Sequence, residues 1–77
     1  MFSNIERGEL LHAALRIRHF HSVAEWARAS NVSVSAAQKT ASGIDVGPNM
    51  NKIVDTFIMD VLPATGDYVR RKSDVAA

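Results

Sequence analysis

Apolar residues recur at helical spacing along this chain, with polar breaks between the stretches. In the first stretch, Leu10, Leu11, Ala14, Leu15 and Ile17 share one face of a 3.6-residue period. Ser3 stands three residues before Glu6, the spacing of a capping box, so the pattern predicts a helix from Asn4 to about Arg18. Gly8 lies inside it and costs roughly 1 kcal/mol relative to Ala, which weakens the first two turns. His19, Phe20 and His21 read as a connector, with Phe20 plugging the core.

The second stretch divides in two. Ser22 and Glu25 form another capping box and start a helix at Val23. Ser33 caps a further helix from Val34, and Gly43 stands where a helix-ending residue belongs. Between them, Asn31 tolerates the left-handed backbone region better than most non-glycines. Ala27 is small enough to let the two helices cross closely. Trp26, Ala27, Val32, Ala37 and Thr40 then face inward, while Ser33, Ser35, Gln38 and Lys39 face outward. Residues 22–42 therefore read as a helix-turn-helix, whose second helix a DNA reader lays in the major groove. The outward set suits that use: a basic head, an amide that pairs with adenine, and small hydroxyls that permit close approach. The bland alternative is an ordinary helical hairpin.

GIDVGPNMN, residues 43–51, is the main break, and Pro48 suits the first position of a new helix. In the third stretch Ile53, Phe57, Ile58, Val61 and Leu62 match an amphipathic helix. Val54, Thr56, Phe57, Ile58 and Val61 are also strand formers, so a strand remains the alternative. Pro63 ends either element. The expected fold is mainly α: a small helix-turn-helix domain of four or so helices, or the same with a short C-terminal strand or hairpin. Residues 1–43 form the helical DNA-binding part, and 44–77 form a dimerisation or partner-binding segment of one compact domain.

Size changes the picture. Seventy-seven residues make one domain with a marginal core, and the absence of cysteine leaves no disulfide to reinforce it. Oligomerisation is the remaining common aid, so Ile53, Phe57, Ile58, Val61, Leu62 and Tyr68 are assigned to a homodimer or partner interface. No apolar run reaches the length of a membrane span, and MFSNIERGEL lacks the pattern of a secretory signal; a cytoplasmic setting is expected.

Net charge is only +1, but it is unevenly spread. Residues 1–40 carry Arg7, Arg16, Arg18, Arg28 and Lys39 against three Glu. Residues 41–69 carry Asp45, Asp55, Asp60 and Asp67 against Lys52, and the tail adds Arg70, Arg71 and Lys72 against Asp74. A basic reader half and an acidic partner half fit one DNA-facing and one partner-facing part. Arg16, Arg18, Arg28 and Lys39 join Ser33, Ser35 and Gln38 as DNA-binding candidates.

Other constellations lead nowhere. His19-x-His21 lacks a third ligand at a characteristic spacing, so no metal and no cofactor are expected, and both imidazoles read as surface or phosphate-facing. His12 reads as an interfacial residue. Leu62–Gly66 spells a sortase signal without the apolar span that must follow it. The glycines at 43 and 47 lack the Lys and Ser/Thr of a phosphate loop. No enzyme is expected.

Trp26–Lys39 resembles the helix-turn-helix of small phage and plasmid repressors of the Cro type. Val61-Leu62-Pro63, Tyr68 and Arg71-Lys72 are similar to the C-terminal part of the plasmid KorA/TrfB repressors. That likeness implies a homodimer on a palindromic operator and a dimerising strand at residues 53–62. This chain is shorter at both ends and its reader-helix residues differ, so no operator sequence follows. The expected function is sequence-specific repression on double-stranded DNA. The alternative is a small phage-type protein that binds a host protein such as RNA polymerase through residues 44–69.

Overall fold

The computed structural model describes residues 2–62, in which four helices follow one another: α1 (Asn4–Ile17), α2 (Val23–Ala29), α3 (Val34–Ala41) and α4 (Pro48–Val61). No strand occurs among the described residues. The strand alternative at 53–62, and the one implied by the KorA likeness, is thereby corrected. The reason is the burial pattern: Met50, Val54 and Ile58 are buried one helical turn apart while Lys52 and Thr56 between them are exposed, although a strand would put all five on one face. The assignments made to Tyr68 and the basic tail lie outside the described residues.

The helix starts follow the sequence closely. Ser3 Oγ accepts the Glu6 amide at 3.2 Å, and Glu6 Oε1 accepts the Ser3 amide at 3.0 Å, completing the reciprocal box. Ser22 Oγ accepts from Glu25, but Glu25 reaches back to the His21 amide at 3.4 Å rather than to that of Ser22. Ser33 Oγ accepts from Ala36. α4 opens at Pro48 with no side-chain cap on its own N-cap, Gly47. Asp45 substitutes from outside, accepting the Gly47 amide at 3.0 Å and the Asn51 side-chain amide at 3.1 Å. Those two donors, the Gly47 amide first, hold the Asp45 carboxyl below its ordinary value.

Three helices end in the same way. His19, Asn31 and Gly43 each take positive φ (61°, 59° and 88°) immediately after the C-cap of α1, α2 and α3. The following residue then donates five positions back: Phe20 to Leu15, Val32 to Ala27, and Ile44 to Lys39, at 2.9–3.0 Å. This is the Schellman arrangement, which satisfies carbonyls that a helix end leaves open. In the first two turns it also brings an apolar residue, Phe20 and Val32, against the core, whereas Ile44 stays exposed.

The core joins all four helices. Leu11 and Leu15 of α1, Trp26 and Ala27 of α2, Ala37 of α3 and Met50, Val54 and Ile58 of α4 form one buried cluster, with Phe2 closing one end. Aromatic contacts carry the junction of α2 with α4. The Phe57 ring lies 5.2 Å from that of Trp26 and meets Phe20 edge-on at 6.5 Å. Phe20 thus plugs the core from the side and stays half-buried.

Two sequence expectations change here. Gly8 is the point at which α1 crosses the end of α3. A Cβ on it would lie 2.7 Å from the Ala41 carbonyl oxygen and 3.1 Å from that of Thr40. Main-chain oxygens cannot swing aside, so the glycine is required by the packing rather than being a weak spot in the helix. Gly8→Ala would gain about 1 kcal/mol of helix propensity but incur overpacking of typically 1–3 kcal/mol, against atoms with little freedom to move. We expect a net loss of up to about 2 kcal/mol, read as a Tm lowered by up to roughly 10 °C. An unchanged or raised Tm would show that the crossing has slack.

The second change concerns charge. Arg7 is 5% exposed and grips Asp55 of α4 with two bonds, Nε to Oδ1 at 2.6 Å and Nη2 to Oδ2 at 3.3 Å. Arg18 reaches Asp60 at 3.5 Å on the surface. Two cations of the basic half are therefore matched by carboxylates of the acidic half. The asymmetry along the sequence is partly an internal complement rather than two separate functional faces.

Candidate nucleic-acid interface

α2 and α3 make the closest local pair in the fold, and small residues permit it. Ala27 and Ala37 are fully buried, and Thr40 is buried with its hydroxyl donated to the Ala36 carbonyl at 3.0 Å. Val32, one residue past the αL turn at Asn31, is half-buried against the same core. The inward set of the helix-turn-helix thus lies inward, and the connection between its two helices is four residues long, Ser30–Ser33. With α1 and α4 packed on the inner side, the opposite side of α3 faces solvent.

Ser33, Ser35, Gln38 and Lys39 are all exposed. They are not equivalent. Ser33 Oγ accepts the Ala36 amide, so its hydroxyl proton and one lone pair remain for a ligand. Ser35, Gln38 and Lys39 make no side-chain hydrogen bond or ion pair among the described residues. Gln38 offers a carbonyl and an NH₂ at once, the pattern needed for a bidentate contact to adenine. Ser42 extends the exposed row, although its hydroxyl donates to the Gln38 main-chain carbonyl at 3.0 Å. Sequence reading omitted Ser42, and only its place one turn after Gln38 could have signalled it.

The four cations are spread more widely. Arg28 is exposed at the C-terminal end of α2, where the helix dipole already favours a positive charge. Arg16 is exposed on the last turn of α1. Neither has an acidic partner among the described residues. Arg18 leans on Asp60, although both side chains stay well solvated, so a phosphate could compete for it. His12, expected to be interfacial, is exposed on α1 beside Arg16.

The residues assigned to the dimer surface divide sharply. Ile58 is fully buried in this chain's own core and cannot form part of a surface between copies. Phe57 is largely spent on Trp26 and Phe20. Val61 and Leu62 are half-buried, and Ile53 is exposed. The correction has a simple cause. The apolar surplus of α4 is matched by α1, α3 and the Trp26 ring of the same chain, which a list of apolar positions cannot reveal.

Among the described residues no helix is long and apolar enough to cross a membrane, and no cluster of metal-ligating side chains occurs. Compared with protein-family models, with curated proteins and with solved structures, the chain matches none.

Proposed function

We propose that this protein binds duplex DNA through the outward face of α3 and acts as a sequence-specific transcriptional repressor. One observation carries the reading. A tight α2–α3 pair, closed by Ala27, Asn31 and Ala37, leaves Ser35, Gln38 and Lys39 exposed and uncommitted on the outer side of the second helix. A helix of eight residues, solvated along one side and buttressed by two others, has the dimensions of a major-groove reader. Arg16, Arg28 and Lys39 supply phosphate-neutralising charge that the fold itself does not use. The chemistry required is binding alone; the reading assigns no catalytic residue, cofactor or metal.

Action as a homodimer belongs to the same proposal. A single short reader helix contacts few base pairs, and two-fold pairing doubles the site. The ridge for it on α4 is the exposed Ile53 with the half-buried Val61, two helical turns further on along the same face. Ile58 has no part in it.

The test begins with selection of a binding site from random duplexes. On the selected site Gln38→Ala should lose about 1–3 kcal/mol, with little change on random DNA. Two chains should sediment with each duplex. Affinity should also fall steeply with salt, by about 0.9 log units per phosphate contact for each tenfold rise in concentration. Equal losses on both DNAs would remove Gln38 as a reader. If no duplex binds at any salt concentration, the helix-turn-helix is a scaffold and the chain acts on protein instead.

A further inference from the structure

We infer that the recess between the C-terminal half of α1 and the start of α2 is a phosphate seat, occupied in the DNA complex by a backbone phosphodiester. The inference rests on the DNA-binding reading for its source of phosphate, but its chemistry stands on the recess alone. The recess has a volume of about 510 Å³. His12 and Arg16 enter it from α1, and His21 and Ser22 from the connector and the α2 cap, over an apolar floor that includes Leu15 and Phe20.

Three features point to an anion with several oxygens. First, His12 and Arg16 are four residues apart on α1, hence neighbours on one side of the helix, and His21 faces them from another element. Groups able to carry like charge repel when gathered in one place, unless an anion lies between them. Second, no carboxylate lines the recess. Glu25, which accepts the His21 main-chain amide at 3.4 Å, is not among its walls, and Arg16 has no acidic partner among the described residues. Third, donors converge from different directions. The guanidinium offers a planar fork, and each imidazole offers an N–H in either protonation state. Ser22 Oγ already accepts the Glu25 amide, so its hydroxyl proton is left to donate outward.

Position argues for a phosphodiester. Ser22 is both a wall of the recess and the cap of α2, the helix that supports the reader. A phosphate held there would fix the orientation of α2, and with it α3, on a duplex. Contacts of this kind set register without reading sequence.

The test uses fluorescence anisotropy with a random-sequence duplex, so that base reading plays no part. Arg16→Gln with His21→Gln should weaken binding roughly tenfold at low salt and lower the salt slope by about 0.9. Lys52→Gln, an exposed charge on α4, should do neither. Both altered residues are exposed, so far-UV circular dichroism should be unchanged. In a second arm, millimolar inorganic phosphate should shift the His12 and His21 ring signals in NMR spectra, and Arg16→Gln should abolish the shift. Duplex binding by the double variant equal to wild type overturns the inference, while Gln38-dependent recognition of the selected site would still uphold the DNA reading. Phosphate-induced shifts in a protein that binds no duplex would keep the phosphate chemistry and overturn the duplex as its source. Silent histidines together with unchanged duplex binding would remove the seat altogether.

Discussion

Trp26→Ala should largely unfold this protein, whereas Lys39→Ala should leave its stability within about 0.5 kcal/mol of wild type. Trp26 is 2% exposed and is the largest of the fully enclosed side chains. It does more than fill the α2–α3 crossing, since its ring lies 5.2 Å from Phe57 and so links the helix-turn-helix to α4. Truncating a buried Trp typically costs 3–5 kcal/mol. Domains are commonly held by only 5–15 kcal/mol, and a chain of this size lies near the lower end. Loss of Trp26 therefore removes most of the margin. Lys39, by contrast, is exposed and unpaired among the described residues, so its removal should register only in nucleic-acid binding. Intrinsic fluorescence checks the first half directly. Native emission should be blue-shifted and move red in urea. A native spectrum already typical of solvated indole would mean that the helix phase is wrong, and with it the outward assignment of Ser35, Gln38 and Lys39.

The phase was legible because it rests on local chemistry. Ser3, Ser22 and Ser33 cap helices by bonding three residues ahead, and Pro48 has its φ already set for a first turn. Asn31 and Gly43 are residue types that reach positive φ at low cost, so their turns could be placed from identity alone. His19 adopts the same geometry after α1 but gave less warning, because histidine visits that region less readily than glycine. The exposed face of α3 followed from these stops and starts. The misreadings are all tertiary. Gly8 looks like a propensity defect until the Ala41 carbonyl is placed 2.7 Å from its absent Cβ. Ile58 looks like spare apolar surface until α4 is packed on α1 and α3 and the residue is enclosed in the common core. The charge halves look like two faces until Arg7 is joined to Asp55, 48 residues away. No pattern with a period of a few residues carries such information. The recess at His12, Arg16 and His21 is a similar case. His19 and His21 drew attention as a pair two residues apart, whereas the grouping that forms is His21 with two side chains of α1.

Asp55→Ala should be the most damaging change outside the aromatic core, and its effect should be asymmetric with respect to its partner. Arg7 is buried, with four of its N–H contacts directed at Asp55 (two), Asn4 Oδ1 at 2.9 Å and the Phe2 carbonyl at 3.1 Å. Removing the carboxylate leaves a guanidinium enclosed with only neutral acceptors, and breaking a buried pair in this way costs about 3–5 kcal/mol. The opposite change, Arg7→Met, retains much of the apolar stem and leaves behind Asp55, whose side chain is 19% exposed and can draw on water. It should therefore cost less than Asp55→Ala, even though the same ion pair is lost. The double variant Arg7→Met/Asp55→Leu should recover most of the stability, because an apolar pair of similar volume avoids the desolvation of both charges. Urea titrations of the wild type, Arg7→Met, Asp55→Leu and the double variant make a double-mutant cycle, and a large coupling between the sites is expected. If Asp55→Ala and Arg7→Met prove equally mild, the α1–α4 clasp contributes little and the Leu11–Val54–Ile58 packing holds those helices alone. If the asymmetry appears, the buried arginine is what makes Asp55 indispensable. The N-terminal cation would then belong to the fold, leaving Arg16, Arg28 and Lys39 to act on the ligand.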